Sequence, residues 1–122
     1  DWFDQEYKTM LGIDIYQHPF PYDRGYCRIE LAHADILLLR VELDNATKES
    51  AIADFLDLPD FKLSSANVGS KKEYADTYRQ FKNQIVLPES YINRMLDSRF
   101  TQHFYSETER EEIRQQWMTR IP

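Results

Sequence analysis

Ile36-Leu37-Leu38-Leu39-Arg40-Val41 is the strongest strand signal in this 122-residue chain. It shows no alternation of apolar and polar residues, the pattern of a strand covered on both faces. Such strands usually sit inside a parallel sheet with helices on each side. The chain offers few neighbours for one. Ile13-Asp14-Ile15-Tyr16 alternates in the manner of a short strand, and Tyr26–Leu31 alternates weakly before a turn at Ala32–Asp35. Either Ile36–Val41 pairs in a short hairpin wrapped by helices, or its neighbours belong to polypeptide outside this sequence. The second arrangement is the one the pattern favours.

Helices are expected around this strand. Trp2–Leu11 places Phe3, Tyr7, Met10 and Leu11 on one face and ends at Gly12, as C-terminal glycines often end helices. Beyond the strand, Ile52, Phe55, Leu56 and Leu58 form a stripe within Ala46–Leu58, stopped by Pro59. Ser70–Ile85 places Tyr74, Tyr78, Phe81 and Ile85 on one side, a stripe expected in the core, with Ser70 and Glu73 spaced as a capping box. Pro88 opens a segment with Ile92, Met95 and Leu96 inward, and Ser106 with Glu109 repeats the capping box before a last helix carrying Ile113 and Trp117. The fold class expected is α/β or α+β, mostly helical, with two or three short strands and about five helices in one unit over residues 1–122.

Composition excludes several classes. Hydrophobic residues make up 42% and aromatics 14%, too many for a disordered chain. The longest apolar run falls far short of a membrane span and no signal-peptide profile is present, so a cytoplasmic protein is expected. A single cysteine, Cys27, excludes an intramolecular disulfide, and with three scattered histidines no metal site is expected. Three glycines exclude a Gly-rich nucleotide loop. Residues 1–60 carry 13 acidic and 5 basic side chains, whereas 61–122 carry 8 and 10. An overall charge of −6 argues against nucleic acid or anionic membrane as partners.

Chemistry concentrates in a few places. Gly69, Ser70, Lys71 and Lys72 open the expected 70–85 helix, where free N–H groups and the dipole attract anions. Two lysines there, repelled by the same dipole, suggest a phosphate or sulfate, unless both simply point into water. His18, in a Pro-flanked loop with Asp14 and Asp23 nearby, is the weak candidate for a general base; a loop contact is the plainer reading. His103 reads as a packing or capping residue. Arg40 and Glu42 share a strand face at its carboxyl end and are read as an ion pair closing the strand onto the next helix. The glutamates of the last helix interleave with Arg110 and Arg114 as a solvated face.

The order of these segments resembles the C-terminal half of a sulfotransferase-like family that includes bacterial capsular polysaccharide synthesis proteins. The matching pieces are Trp2-Phe3-Asp4-Gln5-Glu6, Leu11 through Tyr16, Pro19-Phe20 and Gly25-Tyr26. Leu37-Leu38-Leu39-Arg40-Val41-Glu42-Leu43-Asp44 is similar to the family's "LLLRxEDL" strand. Phe55–Leu58, Asn67-Val68-Gly69, Lys72 with Tyr74 and Tyr78, Asp97–Phe100, His103–Ser106, Glu109 and Trp117 complete the resemblance. It implies transfer of a sulfuryl group from 3′-phosphoadenylyl sulfate to a hydroxyl, often on a carbohydrate, within a P-loop-like sheet flanked by helices. It assigns Gly69, Ser70, Lys71 and Lys72 to the donor's 3′-phosphate, although the family's arginine-lysine-glycine pattern is absent. The 5′-phosphosulfate loop and usual base are not matched, so the chain is expected to be inactive alone and partnered by a missing N-terminal half or a second copy. The rival expectation is a non-catalytic helical interaction domain, with a partner covering the Ile36–Val41 edge.

Overall fold

The computed structural model describes residues 1–64 and 73–122. The chain is a mostly helical α+β fold around one antiparallel hairpin. A π-helical segment, Phe3–Lys8, runs into α1 (Thr9–Leu11) and ends at Gly12 in the left-handed region (φ 69°). The i→i+5 winding sets Tyr7 against both Trp2 and Phe3, with ring centroids 5.0 and 5.5 Å away. It also corrects the expected face. Met10 and Leu11, inward on an ideal helix, are 73% and 51% exposed.

Ile13-Asp14-Ile15-Tyr16 is not a strand. Asp14 is extended, and its carboxylate accepts the Tyr16 N–H (3.1 Å) to start a 3-10 turn over Ile15–Gln17. One extended residue between them points Ile13 and Ile15 the same way, and both are buried. With Phe20, Ile29 and Phe104 they form the core cluster.

β1 (Tyr26–Glu30) and β2 (Asp35–Leu39) pair antiparallel from Tyr26↔Leu39 to Glu30↔Asp35. The Leu31 N–H donates to the Ala34 carbonyl (2.9 Å) to close the turn between them. The hairpin, rather than a parallel sheet, is thus the arrangement realised among the described residues. Cys27, Leu31, Ile36 and Leu38 pack against the core. On the other face the Arg28 guanidinium lies 5.2 Å over the ring of Phe55 from α2 (Asn45–Leu56).

Asp44 caps α2 by accepting the Thr47 N–H (2.6 Å). The helix ends earlier than Pro59 requires: Asp57 turns left-handed (φ 55°) and the Leu58 N–H returns to the Ala53 carbonyl (2.9 Å). Leu56 and Leu58, expected inward, are exposed.

α3 (Ala75–Gln84), α4 (Glu89–Leu96), α5 (Arg99–Phe104) and α6 (Glu107–Met118) follow. α3 starts after Tyr74, so Glu73 precedes the helix instead of occupying its third position, and Ser70 lies outside the described residues. The aromatics of the stripe expected in the core, Tyr74, Tyr78 and Phe81, are exposed, Phe81 at 59%, and Ile85 is half-buried. Ile92 and Leu96 are buried as expected, whereas Met95 is exposed. The Ser106–Glu109 capping box is present in full (3.2 and 3.0 Å). Arg114 ties α6 to Asn93 and Asp97 (2.8 Å to Asp97), and Arg120 holds the Lys82 and Ile85 carbonyls (2.7 and 3.2 Å) at the end of α3. No helix among the described residues is long and apolar enough to cross a membrane.

Arg40, just past β2, joins these parts. Its Nη1 reaches Glu109 (2.7 Å) and the Phe104 carbonyl (3.2 Å), while Nη2 points to the Tyr22 carbonyl (3.4 Å). The guanidinium also lies 4.9 Å over the Tyr105 ring. The expected Arg40–Glu42 pair is therefore corrected: Glu109 takes Arg40, and Glu42 accepts the Tyr105 hydroxyl (2.6 Å). A last-helix carboxylate already fixed by its capping box is the better preorganised partner. Removing the cation leaves Glu109 and two carbonyls without it, so Arg40→Met should cost about 3 kcal/mol. Chemical denaturation of Arg40→Met, Glu109→Gln and the double variant checks this, with a coupling of about 1 kcal/mol or more expected.

Candidate functional site

The short helix α5 divides its side chains by period. Phe100 and Phe104 face inward, Phe104 against Phe20 (ring centroids 4.9 Å) and Phe100 stacked on Phe3 (5.9 Å). Arg99, Gln102 and His103, at the complementary i, i+3, i+4 positions, face a pocket of about 430 Å³ shared with Tyr16, Tyr22 and Asp97. Ser98 caps the helix by accepting the Thr101 N–H (3.2 Å). Tyr22 closes one side through a hydroxyl bond to the Gln102 carbonyl (2.7 Å).

Charge in this pocket is largely balanced. The Arg99 guanidinium lies 3.9 Å over the Tyr16 ring and pairs with Asp4 (3.2 Å) and Asp14 (3.8 Å). Asp14 also pairs with Lys8 (3.6 Å). The Tyr16 hydroxyl donates to Asp1, and burial raises its pKa, with Asp4 and Asp14 adding to the shift and Arg99 opposing it.

His103 stands edge-on to Tyr16 (5.1 Å) and Phe104 (4.8 Å). Its Nε2 is buried and has no hydrogen-bond partner among the described residues. Desolvation, joined by the Arg99 and His18 charges, holds its pKa below the ordinary value; a hydrogen bond to the His18 backbone and the Asp14 carboxylate oppose this. The imidazole is therefore neutral at pH 7. A neutral imidazole beside a guanidinium and two phenols can accept a proton and orient hydroxyl-bearing ligands.

His18, the sequence's candidate base, is not oriented by a carboxylate. Asp14 is engaged by Tyr16, Lys8 and Arg99, and no ion pair joins His18 to Asp14 or Asp23 among the described residues. Gly69, Ser70, Lys71 and Lys72 lie outside the described residues. Sequence reasoning assigned His103 only a packing role. Its position one turn after Arg99 was the available signal, but the approach of Tyr16 from 87 residues away has no local signature.

A second polar cluster surrounds Tyr105, whose pKa is pushed up to about 12 by burial, then by the Glu42 hydrogen bond and charge. It belongs to the Arg40 junction. There, hydrogen bonds from Ser106 and Arg40 outweigh the opposing desolvation to keep Glu109 below the usual carboxylate value. No group of His, Cys, Asp and Glu side chains converges to hold a metal ion among the described residues.

Comparison with protein families matches residues 1–106 to the family described as "Putative capsular polysaccharide synthesis protein", and the chain belongs to that family. Comparisons with curated proteins and with solved structures find no match.

The desolvated imidazole makes a pH prediction. Its folded-state pKa lies below the ordinary 6.5, so the unfolded chain takes up the proton first. The contribution to stability is intact above pH 6.5 and is lost as the pH falls through the folded-state value. Thermal unfolding between pH 7 and 5, where most carboxylates stay ionised, should show a falling Tm that His103→Gln flattens.

Proposed function

We propose that this chain, as a member of a capsular polysaccharide synthesis family, forms the acceptor side of a cytoplasmic sulfuryl transferase. The donor is 3′-phosphoadenylyl sulfate and the acceptor a carbohydrate hydroxyl. The family match over residues 1–106 supports the polysaccharide context. The order of segments, including the strand resembling "LLLRxEDL", supports the sulfuryl-transfer chemistry. The observation that carries the acceptor role is the neutral His103 lining a pocket with Tyr16, Tyr22 and Arg99.

In this reaction the acceptor oxygen forms a bond to sulfur as the bond from sulfur to the bridging phosphate oxygen breaks. Adenosine 3′,5′-bisphosphate leaves with that bond's electron pair, and the acceptor proton passes to His103 Nε2, which is buried without a partner among the described residues and meets the acceptor hydroxyl after a turn of its side chain. Tyr16 and Tyr22 offer ring surface to a sugar, while Gln102 and Arg99 offer polar groups for its hydroxyls. Gly69, Ser70, Lys71 and Lys72 are the residues proposed to hold the donor's 3′-phosphate. Charge growing on the transferring group requires cations and N–H donors fixed in advance, and a basic glycine-containing segment supplies that chemistry.

The full protein should bind adenosine 3′,5′-bisphosphate in a calorimetric titration and move label from a radiolabelled sulfate donor onto capsular polysaccharide. Lys71→Ala with Lys72→Ala should weaken nucleotide binding at least ~10-fold, as expected for lost phosphate contacts. His103→Gln should leave nucleotide binding unchanged and lower transfer at least ~100-fold. Absence of both binding and transfer in the full protein would end this reading.

A further inference from the structure

The pocket beside α5 turns most of its hydrogen-bond donors toward the protein. The Tyr16 hydroxyl donates to Asp1, and the Tyr22 hydroxyl donates to the Gln102 carbonyl (2.7 Å). The Gln102 side-chain amide donates to the Asp97 carbonyl (2.9 Å). What these groups keep is accepting capacity. The two phenolic oxygens and Gln102 Oε1 receive no donor among the described residues. Asp97 gives Oδ1 to Arg114 (2.8 Å) and keeps Oδ2. Oxygen acceptors therefore outnumber the neutral donors left to a ligand.

Arg99 does not make the pocket cationic. Its guanidinium faces Asp4 (3.2 Å) and Asp14 (3.8 Å), and Asp14 in turn faces Lys8 (3.6 Å). On the other side, Asp97 shares Arg114 with Glu111 (3.0 Å). The network sets four carboxylates, Asp4, Asp14, Asp97 and Glu111, against three cations, Lys8, Arg99 and Arg114. The carboxylate and amine of Asp1 cancel. A ligand carboxylate reaching Arg99 would enter a region with an excess of its own charge. An ammonium donates three hydrogen bonds, accepts none and is drawn to that excess.

We propose that the acceptor unit held in this pocket is an amino sugar, with its ammonium bound by Asp97 and Gln102 and a neighbouring hydroxyl presented to His103. N-acetylation would remove the charge and leave one N–H donor of three. A uronic acid would replace donors by a carboxylate. This inference rests on the acceptor role argued above for the pocket and names the class of sugar it takes.

The test is a chemical-shift titration of the isotope-labelled chain with the methyl glycosides of glucosamine, N-acetylglucosamine and glucuronic acid. The glucosaminide should shift the Arg99, Gln102 and His103 amides and saturate at a concentration at least ~10-fold below that of either other sugar. Asp97→Asn, which retains an oxygen for Arg114, should erase this preference while leaving the affinity for the N-acetyl sugar unchanged. The ranking of glycosides uses the unaltered chain, so it decides the matter even where the variant fails to fold. Equal affinities, a preference for the glucuronide, no shift at these amides, or a preference that survives Asp97→Asn would each overturn the proposal. Nucleotide binding is scored separately. Selective glucosaminide binding without affinity for adenosine 3′,5′-bisphosphate would leave the amino-sugar site standing and remove the sulfuryl donor.

Discussion

A guanidinium placed where a strand ends must find oxygens, and Arg40 finds three from distant parts of the chain. Glu109 belongs to α6, the Phe104 carbonyl to the end of α5, and the Tyr22 carbonyl to the loop that enters β1. Little room is left around it. Gly25 is in the left-handed region (φ 75°), and a Cβ there would meet Leu43 at 2.6 Å and Arg40 Nε at 3.4 Å. Backbone and side chain together thus require glycine at this point.

The candidate site inherits its shape from that junction. His103 directly precedes the residue whose carbonyl Arg40 holds, and Tyr22 supplies another of the held carbonyls. The Tyr22 hydroxyl then reaches back to Gln102. The loop before β1 and the helix α5 are therefore stapled twice, once through the arginine and once through the phenol. Between these ties lies the pocket containing His103. A residue without any atom in the pocket sets the spacing of its walls.

What was legible in the sequence was what is decided within a few residues. The Ser106–Glu109 box needs four residues and no outside help, and Gly12 needs only its own φ. The apolar run at 36–41 announced a strand, but its partner depended on register and turn closure, and a short hairpin satisfied them. Amphipathic spacing showed which faces of residues 2–11 and 74–85 are apolar without showing whether anything covers them. The π winding of Phe3–Lys8 arises with contacts among Trp2, Phe3 and Tyr7. The ion pair between Arg40 and Glu109 spans 69 positions, so neither residue signals the other. His18 drew notice as a histidine in a Pro-flanked loop, whereas the fold uses its backbone and leaves the desolvated nitrogen on His103.

A two-stranded hairpin is marginal in water without further support. Here the support is uneven. The core-facing side rests on Ile13, Ile15 and Phe104, the opposite side meets α2, and among the described residues one edge has no ladder beyond β1. The ends of the hairpin are held differently again, by the Leu31–Ala34 turn at one extreme and by the Arg40 junction at the other. This arrangement holds β2 in register from both ends. Arg40 bonds toward β1 and α6, whereas the main-chain groups of Leu37 and Leu39 face away from β1. The structural anchor, one residue past β2, and the outward-facing main chain of Leu37 and Leu39 thus follow from one alternation along the chain.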